Sequence, residues 1–222
     1  MHEIIETNDG SHSIKSLQFG ESFHSKHGAI QESKTVFIDA ALHFGAARNN
    51  SLRLLEMGFG TGLNALMTLM ETEQNKTLEL DYLGIEAYPV EMTTAKQLNY
   101  TRLLDAIDLQ TPFLEMHASE KERLQLSENF SFLKRVAQFE SIILPDNYFD
   151  IIYYDAFAPA AQPALWETPM LSKMYKSLRI GGVLTTYCAK GSVKRCLKSI
   201  GFEIEGLAGP IGKREITRAT KK

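Results

Sequence analysis

Apolar and polar positions along the chain alternate between two periods. Leu52 to Met57 is a short apolar run that ends in Gly58-Phe59-Gly60-Thr61-Gly62, and a helical pattern over 61–73 follows. This predicts strand, tight turn and helix. Leu78 to Glu86 reads as a second strand, and Pro89 to Leu104 as helical. Arg123–Leu126 and Phe130–Val136 predict two strands around a Ser127-Glu128-Asn129 turn, with Gln138 ending the second. Pro112 to Met116 reads as a further strand. Asp150 to Asp155 is a strongly apolar β run, and 163–177 continues as loop and helix. Gly181-Gly182 opens another buried strand, Ser192–Ile200 is a helix, and Phe202 begins the last strands. Gly209 to Ile216 reads as a hairpin turn feeding the final one. Strands alternating with helices predict a mostly parallel α/β sheet.

Ahead of this pattern, residues 1–45 form an extension. Thr7 to Ser11 is a turn between two short strands. The stretch 20–29 is polar and carries His24 and His27, and Glu32, Val36, Phe37, Ala40, Ala41 and Phe44 return at helical steps. Such a segment either closes over a cleft or covers a sheet edge. Residues 46–222 are expected to hold the main domain. The 222 residues are 44% apolar, enough for one sizeable core. No apolar run reaches membrane-spanning length and no leader pattern opens the chain, so a cytoplasmic location is expected. Cys188 and Cys196 have no zinc-type spacing and read as packing residues, and no metal is expected.

The candidate chemistry centres on the first turn. Glycines at alternate positions let backbone approach a ligand closely, and the next helix aims its free N–H groups at the same place. The dinucleotide fingerprint needs a small third element, but Leu63 stands there. Glu56, two residues before Gly58, suits a ligand with a cation and hydroxyls, such as S-adenosylmethionine. A turn needed only for chain reversal is the alternative. Glu86, ending the second strand, is placed to accept from a ribose diol, and Gln138 to contact an adenine. Asp155 ends its strand at the carboxyl end of the sheet, where ligands of such folds bind, or else caps the following helix. From Lys190 onward nine basic residues face three acidic ones, against a net charge of −3 for the chain. That excess is either a docking surface for a phosphate backbone or a solvated helix and tail.

Glu-Met-Gly-Phe-Gly-Thr-Gly-Leu-Asn at 56–64, Asp-Ala-Phe-Ala-Pro at 155–159, Pro163, Trp166, Gly181-Gly182 and Gly212-Lys213-Arg214-Glu215 together resemble the methyltransferase domain of the bifunctional tRNA-modifying MnmC enzymes and its stand-alone MnmD form. Asp9-Gly10-Ser11 and Phe23-His24-Ser25 extend the resemblance towards the N-terminus. Where that family usually has Gly-Asp, this chain has Ala137-Gln138.

The resemblance implies a Rossmann-like class I S-adenosylmethionine-dependent methyltransferase, with a doubly wound sheet and an antiparallel C-terminal hairpin. It implies methylation of 5-aminomethyl-2-thiouridine at the tRNA wobble position, with a separate enzyme supplying the aminomethyl group. Cofactor contacts are then expected from Glu56, Gly58, Gly60, Gly62, Asn64, Glu86, Gln138 and Asp155. Asp155, Phe157 and Pro159 are expected at the reacting amine, with the carbonyls of the 156–159 loop sharing in its orientation. Phe157 and Trp166 are expected to stack on a base, with a place in the core as the alternative for Trp166. Lys190, Lys194, Arg195, Lys213 and Arg214 are expected to meet tRNA phosphates. The alternatives are a methyltransferase of small-molecule or protein amines and a non-catalytic module of the same fold. An aminopropyltransferase would need further acidic groups, which the sequence pattern does not display.

Overall fold

The structure is a computed structural model and describes residues 2–222. Strand β1 (His2–Glu6) pairs antiparallel with β2 (His12–Ser16) in the expected hairpin. The Asp9 carboxylate holds the turn by accepting from the Ser11 N–H at 3.0 Å and the Thr7 hydroxyl at 2.9 Å. A helix over 29–46, here α1, follows in three consecutive segments. Ala29–Ser33 and His43–Ala46 are α-helical, and Lys34–Leu42 between them is wound as a π-helix.

The main sheet is built from β3 (Ser51–Met57), β4 (Glu79–Glu86), β5 (Arg123–Ser127), β6 (Phe130–Val136), β7 (Phe149–Tyr154), β8 (Leu178–Thr186), β9 (Phe202–Ala208) and β10 (Glu215–Lys221). Its spatial order is β5-β6-β4-β3-β7-β8-β10-β9. The five strands from β6 to β8 run parallel, β10 is antiparallel to both β8 and β9, and β5 is antiparallel to β6 at the other edge. The periodicity predicts the mostly parallel α/β sheet, and the doubly wound order with its C-terminal antiparallel pair is what the family resemblance implies. The longer helices are α2 (Leu63–Gln74), α3 (Gln110–Ala118), α4 (Thr168–Ser177) and α5 (Gly191–Ile200).

Two apolar layers cover the sheet, and alternate residues of one strand feed different layers. Leu54, Ile151 and Tyr153 pack with α1 and α2, whereas Leu55, Ile152 and Tyr154 pack with α4 and α5. The chain leaves β3 in one direction through β4 to β6 and returns on the other side as β7. The crevice between the carboxyl ends of β3 and β7 is therefore the topological switch point, where such sheets bind ligands.

Two expectations fail here. Residues 112–116 lie in α3, not in a strand. Phe113, Met116 and His117 are the buried positions of that helix, and their spacing is helical. Pro112 sits in its first turn, where no N–H partner is lost. The single helix expected over 89–104 is broken into Met92–Ala95 and Tyr100–Leu103. The intervening residues tether the N-terminal hairpin instead. Asn99 donates to the Gly10 carbonyl and accepts from the His12 N–H, both at 2.9 Å, and the Tyr100 hydroxyl donates to the His12 carbonyl at 2.8 Å.

Candidate cofactor and substrate site

The turn after β3 is held by its neighbours across the crevice. Gly58 and Phe59 both donate backbone N–H to the Ile85 carbonyl at 3.0 Å, and Asp155 donates its N–H to the Met57 carbonyl at 2.9 Å. Gly58 has φ 101°, and a Cβ there would lie 2.5 Å from the Asp155 carbonyl oxygen. A side chain at that position would push β3 and β7 apart just where the crevice opens.

Glu86 ends β4 beside this turn. One carboxylate oxygen accepts the Gly60 N–H at 2.7 Å and the other the Tyr88 N–H at 2.8 Å. Burial pushes its pKa up, and those backbone N–H groups work against the shift. Each oxygen keeps acceptor capacity towards the cavity beside it.

Asn64, in the first turn of α2, joins two more acids. Its amide nitrogen donates at 2.9 Å to Glu56 and at 2.9 Å to Asp155. Glu56 takes a second bond from the Tyr82 hydroxyl at 2.8 Å and is completely buried, which holds its carboxyl well above the usual range. Glu56 thus lies under the site and braces Asn64, and it does not line the cavity as expected. Asp155 does line it. Loss of solvation, then the negative charge of Glu32, pushes the Asp155 carboxyl up to about 7, against the Asn64 hydrogen bond and the charge of Lys213.

The cavity encloses about 220 Å³ between the sheet crevice and the N-terminal extension. The extension closes over the crevice through residues 21–25. Phe19 packs 4.9 Å from Phe157 and 5.4 Å from Tyr88, and Phe23 packs 5.1 Å from Phe157. His24 also lines the cavity. Burial pushes its pKa down to about 4, so a neutral imidazole faces the site. Glu32 reaches in from α1, only 6% exposed, and forms an ion pair with Lys213. His27 does not line the cavity. Its ring covers Gly212, where a Cβ would meet it at 2.1 Å, and this fixes the loop that carries Lys213.

Several nominated residues serve the scaffold. Trp166 is buried, donates its indole N–H to the Phe157 carbonyl at 2.8 Å and packs edge-on to Tyr154. It is a core residue and offers no face to a base. The Ala156 carbonyl accepts from the Tyr187 hydroxyl at 2.9 Å, and the Ala158 carbonyl from Ala161 and Gln162 N–H groups. These hydrogen bonds shape the loop. Pro159 lies in the same loop outside the cavity lining, and Gly62 lies at the start of α2, also outside it. Gln138 is exposed beyond the end of β6, while its neighbour Phe139 lines the cavity. Lys194 pairs with Glu215 at 2.6 Å, and Lys190, Arg195 and Arg214 are exposed outside the cavity. Sequence reading missed Glu32, Tyr187, Phe19 and Tyr88. Glu32 carried a signal, being a carboxylate on the apolar face of a helix.

The sequence model of the S-adenosyl-L-methionine-dependent methyltransferases matches residues 106–222. The chain belongs to that family. This methyltransferase is 29% identical over 215 residues to the tRNA 5-methylaminomethyl-2-thiouridine biosynthesis bifunctional protein MnmC of Methylibium petroleiphilum, a match that covers 91% of this chain and 32% of that protein. The chain spans about a third of the length of the curated relatives it matches. Its fold is similar to the crystal structure of MNMC2 from Aquifex aeolicus, with TM-score 0.79 and 24% identity over 100% of this chain and 70% of that one. It is also similar in fold to spermidine synthase from Thermotoga maritima, with TM-score 0.59 and 15% identity over 100% of this chain and 69% of that one.

The residues fit the methyltransferase cofactor. Asn64 is 3% exposed, and its Oδ1 has no partner within the protein. A buried acceptor left unmade is costly, and a ligand ammonium beside Asp155 would satisfy it. The two-oxygen acceptor of Glu86 suits a vicinal diol, and Tyr88 and Phe139 supply apolar wall for a purine.

Proposed function

We propose that this methyltransferase acts on the amino group of 5-aminomethyl-2-thiouridine at the tRNA wobble position and gives 5-methylaminomethyl-2-thiouridine. The observation that carries the reading is a cavity at the switch point holding two carboxylates, the half-buried Asp155 and the buried Glu32, under an aromatic rim. That is an environment for an amine borne on a planar base. The curated relatives are named for biosynthesis of tRNA 5-methylaminomethyl-2-thiouridine, which supports the same product. The reading implies a cytoplasmic enzyme and a separate activity that supplies the aminomethyl group. Among the described residues no helix is long and apolar enough to cross a membrane.

S-adenosylmethionine, when bound, supplies an electrophilic methyl group on a sulfonium. Glu86 would hold its ribose hydroxyls and Asn64 its ammonium. Asp155 acts on the substrate. A primary alkylamine has a pKa near that of lysine, so exposing its lone pair at pH 7 costs roughly 4–5 kcal/mol. A closed cavity lowers that cost by disfavouring the ammonium. Asp155 then accepts an N–H bond that orients the lone pair, and stabilises positive charge as it grows on nitrogen.

The test is incubation of the purified protein with labelled S-adenosylmethionine and tRNA that carries 5-aminomethyl-2-thiouridine, followed by mass spectrometry of the nucleosides. Label in 5-methylaminomethyl-2-thiouridine is expected. Cofactor turnover without that nucleoside, in the presence of small amines only, would move the substrate to the small-amine class.

A further inference from the structure

The ion pair between Glu32 and Lys213 joins residues 181 positions apart, inside the cavity and beside Asp155. Glu32 is held from behind, since its other oxygen accepts the Ser25 N–H at 2.7 Å. The Lys213 ammonium lies 4.0 Å above the ring of Tyr187, within cation–π range. The Tyr187 hydroxyl is tied to the Ala156 carbonyl, so the ring face is fixed. The cavity thus already contains a primary alkylammonium on a flexible stem, seated between a buried carboxylate and an aromatic face. This is the chemical group that the proposed substrate presents.

From this arrangement, and resting on the reading of the substrate as an amine, we propose that Glu32 and the face of Tyr187 form the specificity subsite for the substrate amino group, with Lys213 as its resident stand-in. A carboxylate this buried is costly to leave unpaired, so Lys213 withdraws only when another amine takes its place. A base without the aminomethyl group cannot make that exchange. Glu32 therefore selects against it by capturing the ammonium form, which must release a proton to water before Asp155 can orient its lone pair. Lys213 is accordingly a gate of the pocket, and its assignment to phosphate contact on the surface is withdrawn.

The test uses n-propylammonium chloride as the probe and needs no tRNA. Lys213→Ala vacates the place above Tyr187, and the melting temperature of this variant should rise with n-propylammonium chloride but not with equimolar sodium chloride. The parent should respond to the amine more weakly than this variant, because its own lysine competes for the site, and should not respond to sodium chloride. In the double variant Glu32→Gln/Lys213→Ala, which removes both charges and leaves no unpaired ion, the response should vanish. No response in Lys213→Ala, or one that survives in the double variant, overturns the subsite. Should Lys213→Ala fold poorly, recovery of folded protein on refolding with the probe against sodium chloride reads the same thing. A second arm takes Glu32→Gln alone. It should raise KM for the aminomethyl tRNA at least tenfold with a smaller effect on kcat and unchanged cofactor affinity. Unchanged KM overturns the selective role. Since the first arm is blind to tRNA, a positive amine response without tRNA methylation would leave the subsite standing and remove only the tRNA substrate.

Discussion

Asp155 carries opposing influences, and their signs fix its behaviour with pH. Its pKa in the fold, about 7, is above the ordinary value of 3.8. The fold therefore favours the neutral acid, and that contribution to stability is complete below about pH 4 and is lost as pH rises through 7. The melting temperature of the parent should fall across this window relative to Asp155→Asn, which has nothing to titrate there. Catalysis runs the other way, because the accepting form is the carboxylate. Single-turnover methylation should rise with pH through about 7 in the parent. In Asp155→Asn it should lose that inflection and fall roughly 10²–10³-fold, as when one preorganised electrostatic partner is removed. An Asn variant that turns over at the parent rate would end the proposed role. Position along the chain was enough to find Asp155 and Glu86, because each ends a strand at the crevice. The same reasoning misplaced Glu56. It lies inside β3, and its side chain is taken up by Asn64 and Tyr82 beneath the site. Glu32 showed itself as a carboxylate on an apolar helix face, but its partner, Lys213, 181 positions away, cannot be read from any local pattern.

The N-terminal hairpin and the stretch after it form a cover whose grip on the crevice is aromatic. Phe19 meets both Phe157 and Tyr88, which belong to opposite walls of the cavity. Each such pair contributes about 0.5–1.5 kcal/mol beyond its buried area. Losing both in Phe19→Ala should weaken S-adenosylmethionine binding by about tenfold and speed amide hydrogen exchange in the covering stretch, with little change in melting temperature, since Phe19 is itself only partly buried. Unchanged calorimetric affinity would mean that the cover plays no part in holding the cofactor. The elements themselves were mostly legible, because strands of the sheet core read as unbroken apolar runs and the glycine turns punctuate them. Legibility failed where tertiary contacts decide. Phe113, Met116 and His117 have helical spacing, but the window is short enough to pass for a strand. The helix over 89–104 gives way because Asn99 bonds to the hairpin rather than continuing a helix. The π-helical winding of Lys34–Leu42 leaves no mark in the apolar pattern that distinguishes it from an α-helix.

Charge over the whole chain bears on how a polyanion would reach the cavity. The net value of −3 gives no general attraction, so docking must come from local asymmetry. Much of the C-terminal basic excess is spent internally, in the pairs Lys194–Glu215, Lys213–Glu32, Arg218–Glu205 and Lys222–Glu203. Lys190, Arg195 and Arg214 remain exposed. Lys190 lies beyond the carboxyl end of β8 and Arg195 in the first turns of α5, on the side of the sheet where the crevice opens. Arg214 adjoins Lys213, whose side chain lines the cavity. On the proposed tRNA reading, a wobble base enters splayed from an unpaired loop, and these three exposed cations are the candidates to meet its phosphates. Each phosphate contact adds about 0.7–0.9 to the slope of log affinity against log salt. Replacing all three with serine should lower that slope by about 2 and raise the tRNA KM, while calorimetric affinity for S-adenosylmethionine stays at the parent value. A triple variant that binds tRNA with the parent slope would place the docking surface elsewhere. A parent that binds tRNA with no salt dependence at all would remove the polyanion and leave an amine methyltransferase whose substrate is small enough to enter the cavity whole.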